Sequence, residues 1–153
     1  MSVALTGRRQ YKVSRYNLEG EQFEGFLGPL GAEVLETIWG SGEGPVTVRQ
    51  VYEELRKRTK IAYTTVMSTM DRLYDKGVLD RKVERGKGGV FFVYWPKLGK
   101  KRFEESAVKT VVSSLFKNFG STVTNALVEE VASNKEDLEA LQKQIDKLTS
   151  EKK

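Results

Sequence analysis

The chain has 153 residues, 39% of them hydrophobic and 31% charged, with a formal net charge of +5. That length suits one domain, or one small domain with an appended element, and leaves no room for a second full core. Cysteine and histidine are both absent, which removes disulfides, thiolate zinc sites, thiol catalysis and the commonest metal ligand and general base, so no enzyme, metal site or cofactor is expected.

No run of about 18 apolar residues is present to span a membrane, and the opening MSVALTGRRQYKVSRY lacks the apolar stretch and cleavage pattern of a signal peptide. A soluble, cytoplasmic protein is the expectation. The charge is unevenly placed. Residues 1–28 carry four basic and three acidic side chains, 29–59 four and five, and 103–153 seven and nine, whereas 60–102 carry eleven and four. An excess of seven positive charges in one middle segment makes a patch suited to a polyanion.

Residues 1–28 show no sustained period and read as an extension, partly disordered, with one short ordered piece around residues 22–27; Arg8, Arg9, Lys12 and Arg15 there suit either an arm along phosphates or a disordered tail. From Pro29, the residues Leu30, Val34, Leu35, Ile38 and Trp39 recur at helical spacing, with Pro29 fit for a first turn and Gly40-Ser41-Gly42 as the stop. A second helix starts at Thr47, which stands three before Gln50 in a capping box, with Val46 and Val51 as a hydrophobic staple. Its apolar face is Val48, Val51, Tyr52 and Leu55, and it closes in Arg56-Lys57-Arg58.

A third helix is predicted over residues 62–76, with Ala62, Val66, Met70 and Leu73 inward and Gly77 as its C-cap. Its opposite face shows Thr64, Ser68, Asp71 and Asp75, flanked by Thr65 and Arg72. Two β-rich runs then enclose Gly86-Lys87-Gly88-Gly89 and read as a hairpin between Leu79 and Trp95. Three helices followed by a hairpin is the order of a winged helix-turn-helix. The fold expected is therefore mainly α with a small β-hairpin, a DNA-binding domain over residues 29–98 followed by a helical dimerisation region over 99–153.

Small hydroxyl side chains at Thr64, Thr65 and Ser68 let a helix sit close in a major groove and bond phosphates or base edges; the alternative is a solvated face, for which β-branched threonine is a poor choice. Arg72 is placed to reach a phosphate or a guanine edge, or to pair with Asp71, Asp75 or Asp80. Arg81, Lys82, Arg85 and Lys87 suit either a phosphate-holding wing with a glycine-rich tip or a merely solvated hairpin, and their place in the one strongly basic segment favours the wing. Tyr63 either stacks on or bonds DNA, or staples the third helix to the second. Core packing is expected of Trp39, Phe91 and Trp95.

The tail carries an apolar stripe of Phe103, Ala107, Val108, Val111, Val112, Leu115, Phe116 and Phe119, a break at Gly120-Ser121, and a short helix presenting Val123, Leu127 and Val131. A last helix is expected to be capped by Ser133 and carries Leu138, Leu141, Ile145 and Leu148 at coiled-coil spacing. This is more apolar surface than three small helices hide alone, so either a second copy covers it or the helices fold back on their own chain.

These residues resemble the penicillinase-repressor family of winged-helix regulators, the BlaI and MecI type, from about Leu27 to Leu148. The resemblance rests on Leu30-Gly31-Ala32-Glu33-Val34-Leu35 with Ile38-Trp39, on Pro45-Val46-Thr47-Val48-Arg49, and above all on Ala62-Tyr63-Thr64-Thr65-Val66-Met67-Ser68-Thr69-Met70-Asp71-Arg72-Leu73 with Lys76-Gly77. It implies a homodimer that binds double-stranded DNA at a palindromic operator and blocks transcription, read by the helix holding Thr64, Thr65 and Ser68 and joined through the C-terminal helices. Antibiotic-responsive members are induced by cleavage of an Asn-Phe bond, where this chain has Glu129-Glu130; copper-responsive members end in a cysteine-rich hook that this tail lacks. The inducing signal stays unknown. Two other functions fit the same residues: a sequence-tolerant architectural DNA binder, and a winged helix that docks on a protein.

Overall fold

The structure, a computed structural model, describes residues 10–42 and 44–152. In chain order it contains α1 (Glu24–Gly40), β1 (Val46–Thr47), α2 (Val48–Leu55), α3 (Tyr63–Asp75), β2 (Leu79–Gly86), β3 (Gly89–Pro96), α4 (Lys100–Phe119), α5 (Ser121–Ala132) and α6 (Lys135–Glu151). They divide into two compact units, the first ending at Thr110 and the second beginning at Val111. The first unit is mainly helical around a three-stranded antiparallel sheet of order β1-β3-β2.

Local chemistry sets most of these boundaries. Gly28 lies at φ 79°, ψ 164°, where a side chain would be strained, and it interrupts α1 so that the main helix starts afresh at Pro29. Thr47 caps α2: Gln50 N donates to Thr47 Oγ1 at 3.1 Å and Thr47 N donates to Gln50 Oε1 at 2.8 Å. At the end of α3, Gly77 adopts φ 83°; its N–H bonds Tyr74 O at 3.0 Å and Val78 N–H bonds Leu73 O at 2.9 Å, the paired bonds of a Schellman motif. The wing is a two-residue hairpin through Lys87-Gly88, with Gly86 opposite Gly89 and Leu79 opposite Pro96.

The core of the first unit joins Val34, Leu35 and Ile38 of α1, Val51 and Leu55 of α2, Val66, Met70 and Leu73 of α3, and Leu79 and Tyr94 of the sheet. β1 is an addition to the expected hairpin: Val46 pairs with Tyr94 and Thr47 with Val93. The capping residue of α2 thus also anchors that helix to the wing.

Several expectations are corrected. Residues 10–28 belong to the fold, because Phe23 and Leu27 are buried, Tyr11 and Val13 pack against the core, and Asn17 N–H bonds Gly25 O at 2.8 Å. Lys12 and Arg15 are exposed there, and Arg8 and Arg9 lie outside the described residues. Phe103, expected in a dimer seam, is 3% exposed and stacks within 5.1 Å of Tyr11 and 5.7 Å of Phe23 and Trp39 in its own chain. The first unit therefore runs past the expected boundary at residue 98, since Phe103 and Ala107 of α4 complete its core. Finally, Phe91 stands 41% exposed on the wing, while the unanticipated Tyr94 is buried. Trp39 is half-buried as expected, its Nε1 donating to Leu98 O at 3.0 Å, and Trp95 is half-buried too.

In the second unit Gly120, at φ 48°, ends α4. The cap of α6 is Asn134 rather than Ser133: its side chain accepts from Asp137 N at 3.2 Å, and the Ser133 hydroxyl bonds Glu130 O instead. No residue of α5 or α6 is buried.

Candidate nucleic-acid interface

α2 and α3 form the helix-turn-helix. Tyr63 opens α3 and packs edge-on against Tyr52 of α2, ring centres 5.4 Å apart, so it does act as a staple between the helices. Because Val66, Met70 and Leu73 turn inward, the intervening positions Thr64, Thr65, Met67, Ser68 and Arg72 are all exposed. The Thr65 carbonyl accepts from Ser68 Oγ at 3.1 Å and Thr69 Oγ1 at 2.8 Å. Arg72 Nη2 lies 3.4 Å from Oγ1 of the buried Thr69, although the residue as a whole is exposed.

The wing cations divide into two kinds. Arg85 and Lys87 are exposed near the tip and have no ion-pair partner among the described residues, and Lys82 is exposed with a solvated pair to Glu84 at 3.2 Å. Arg81 differs. Its Nη1 is 3.0 Å from Asp71 Oδ1 on α3, and its guanidinium carbon lies 4.0 Å from the ring centres of both Tyr74 and Phe92. Tyr94 donates its hydroxyl to the same Asp71 oxygen at 2.8 Å. Burial and that bond, which the neutral phenol alone can donate, push the Tyr94 pKa up to about 12. Arg81, expected to hold phosphate, is thus engaged in fastening the wing to α3.

Between α3 and the wing lies a cleft of about 510 Å³ whose lining includes Arg49, Tyr63, Met67, Val90, Phe91 and Phe92. The Arg49 guanidinium carbon sits 4.7 Å from the Tyr63 ring centre and reaches Glu53 only at 3.7 Å, with both side chains largely solvated. The arrangement offers hydroxyls and a guanidinium on a helix and cations on a projecting hairpin; among the described residues no cluster of metal-binding side chains occurs.

A family model described as Penicillinase repressor matches residues 27–147, most of the chain. The chain belongs to the penicillinase repressor family. Two curated relatives, both described as Transcriptional regulator BlaI, from Mycobacterium tuberculosis strains CDC 1551 / Oshkosh and ATCC 25618 / H37Rv, are each 45% identical over 53 residues, or 35% of this chain. The match spans only 38% of their length. A solved structure of a PadR family transcription regulator from Clostridium difficile R20291 is similar over 62% of this chain and 96% of its own, at 14% identity and a TM-score of 0.38.

Within this penicillinase repressor fold, two exposed cleft residues, Met67 and Arg49, are not among those picked out from the sequence as contacts. Met67 falls between the polar and apolar stripes of α3, and only its 40% exposure beside the threonines reveals it. Arg49 did leave a signal, because a cation in the first turn of a helix faces the positive end of the dipole and is unfavourable unless an anion arrives. Of the residues expected at a dimer seam, Val108, Val112, Leu115, Phe116 and Phe119 of α4, Leu127 of α5 and Leu138, Ile145 and Leu148 of α6 are each at least 40% exposed, while Val111 and Leu141 are half-buried. Among the described residues no helix is long and apolar enough to cross a membrane.

Proposed function

We propose that the chain is a homodimeric, sequence-specific repressor that binds double-stranded DNA at a palindromic operator. The observation that carries this reading is the exposed Thr64, Thr65, Ser68 and Arg72 face of α3 beside a wing with exposed Lys82, Arg85 and Lys87. α3 enters a major groove, where short hydroxyl side chains read base edges and thymine methyls, while the wing cations hold phosphates. Two such units on half-sites one helical turn apart, or a multiple of it, give a symmetric operator, and occupancy excludes the polymerase. The second copy is inferred from the α4, α5 and α6 side chains, which are too apolar and too exposed for an isolated chain.

The test is competition. Affinity for an enriched duplex should fall steeply with salt and by about 1–3 kcal/mol for each mismatched base pair. Tolerance of every mismatch would leave an architectural binder, and salt-insensitive binding to protein alone would leave an interaction module.

A further inference from the structure

We propose that the cleft between α3 and the wing seats one sugar-phosphate strand of the duplex, with deoxyribose faces resting on Met67, Val90 and Phe92 and phosphates held by Arg49 and Arg85. This rests on the DNA-binding reading above and adds to it the apolar sugar contacts of Met67, Val90 and Phe92 and the phosphate contact of Arg49.

Side chains alternate across a strand, and the register pairs Arg85 with Val90, Val83 with Phe92 and Arg81 with Tyr94. All six therefore share one face of the hairpin. Arg81 and Tyr94 both bond Asp71, so that face is turned toward α3. Beyond the clamp it continues outward as Val83, Phe92 and Val90, which are 54%, 40% and 65% exposed, and it meets the 40% exposed Met67 across the cleft. A wing that only held phosphates would have no use for such a stripe, and an exposed apolar surface with a polar rim marks a contact.

The rim identifies the occupant. Arg49 lines the cleft from α2 and Arg85 stands directly opposite Val90. The Asp71 carboxylate, the acidic group lining the cleft, is already answered by Arg81 and Tyr94. Cations bordering an apolar floor complement a strand whose anionic phosphates alternate with apolar sugar faces. The geometry also agrees: a helix in a major groove and a wing at the adjacent minor groove have one backbone strand between them.

The test uses hydroxyl-radical footprinting, which reads the solvent exposure of deoxyribose hydrogens, on the full chain bound to a duplex enriched from a random pool. Met67→Ser with Val90→Ser alters two exposed side chains and leaves the clamp intact. We expect the wild type to protect a short run of sugars on the strand between the two grooves. The double variant should lose that protection and bind about tenfold more weakly, with an unchanged salt slope and purine protection under α3 retained. Unchanged protection and affinity within about twofold would overturn the seat while leaving DNA binding intact. No binding of any duplex by the wild type would overturn both.

Discussion

Replacing Arg81 by alanine separates two roles that a charge count assigns alike. In the structure this guanidinium lies 4.0 Å from two ring centres and 3.0 Å from Asp71, with the side chain 23% exposed. Each ring contact contributes about 0.5–1 kcal/mol when solvated and toward 2 when desolvated. The ion pair adds about 0–1 kcal/mol, because Asp71 is half exposed. Arg81→Ala should therefore cost about 2–3 kcal/mol of stability, a fall in Tm of roughly 10–20 °C for a unit of this size. Duplex affinity should fall as the wing loosens, yet the slope of log K against log salt should hold, since no phosphate contact is lost. Lys87→Ala should do the opposite, leaving Tm nearly unchanged and reducing the slope by about 0.9. Calorimetry and fluorescence anisotropy across a salt series measure both quantities. A variant at Arg81 with wild-type Tm and a slope reduced by about 0.9 would refute the clamp and restore the phosphate role.

Other outcomes follow from the same geometry. Thr64→Ala with Ser68→Ala should weaken discrimination between duplexes more than overall affinity, measured by competition with mismatched sites; equal losses for all sequences would move base reading elsewhere. Thr47→Ala removes the capping bond to Gln50 and should cost about 1 kcal/mol in a denaturant titration. Folded Tyr94 keeps its proton to about pH 12, whereas in the unfolded chain it loses it near pH 10, so the unfolded state binds fewer protons between these values. That share of stability is fully present below pH 10 and is lost as pH rises toward 12; Tyr94→Phe should flatten this part of the profile. Asp at both Val111 and Leu115 should give monomers by sedimentation, and an intact dimer would place the interface elsewhere.

The helix-turn-helix was legible because periodicity and capping act locally: Thr47 with Gln50, Gly77 after α3, and the inward stripe Val66, Met70 and Leu73 all depend on neighbours within a few residues. What escaped depends on partners distant in sequence. Phe103 looks like part of the α4 stripe until Tyr11, Phe23 and Trp39 are seen around it. The extension showed no period because its aromatic residues fill gaps in a core made by other segments. β1 is two residues long, too short for an alternation to register. Arg81 and Lys87 carry the same charge on the same hairpin, and Asp71, Tyr74 and Phe92 around Arg81 are what tell them apart.

In the proposed function α3 and the wing together read a symmetric DNA site. Repeated selection of duplexes from a random pool by the full chain measures this most directly. The expected result is a single enriched sequence with two-fold symmetry and half-sites separated by about one helical turn or a multiple of it. A bound pool that stays as random as the input, or an enriched site without symmetry, would contradict the account.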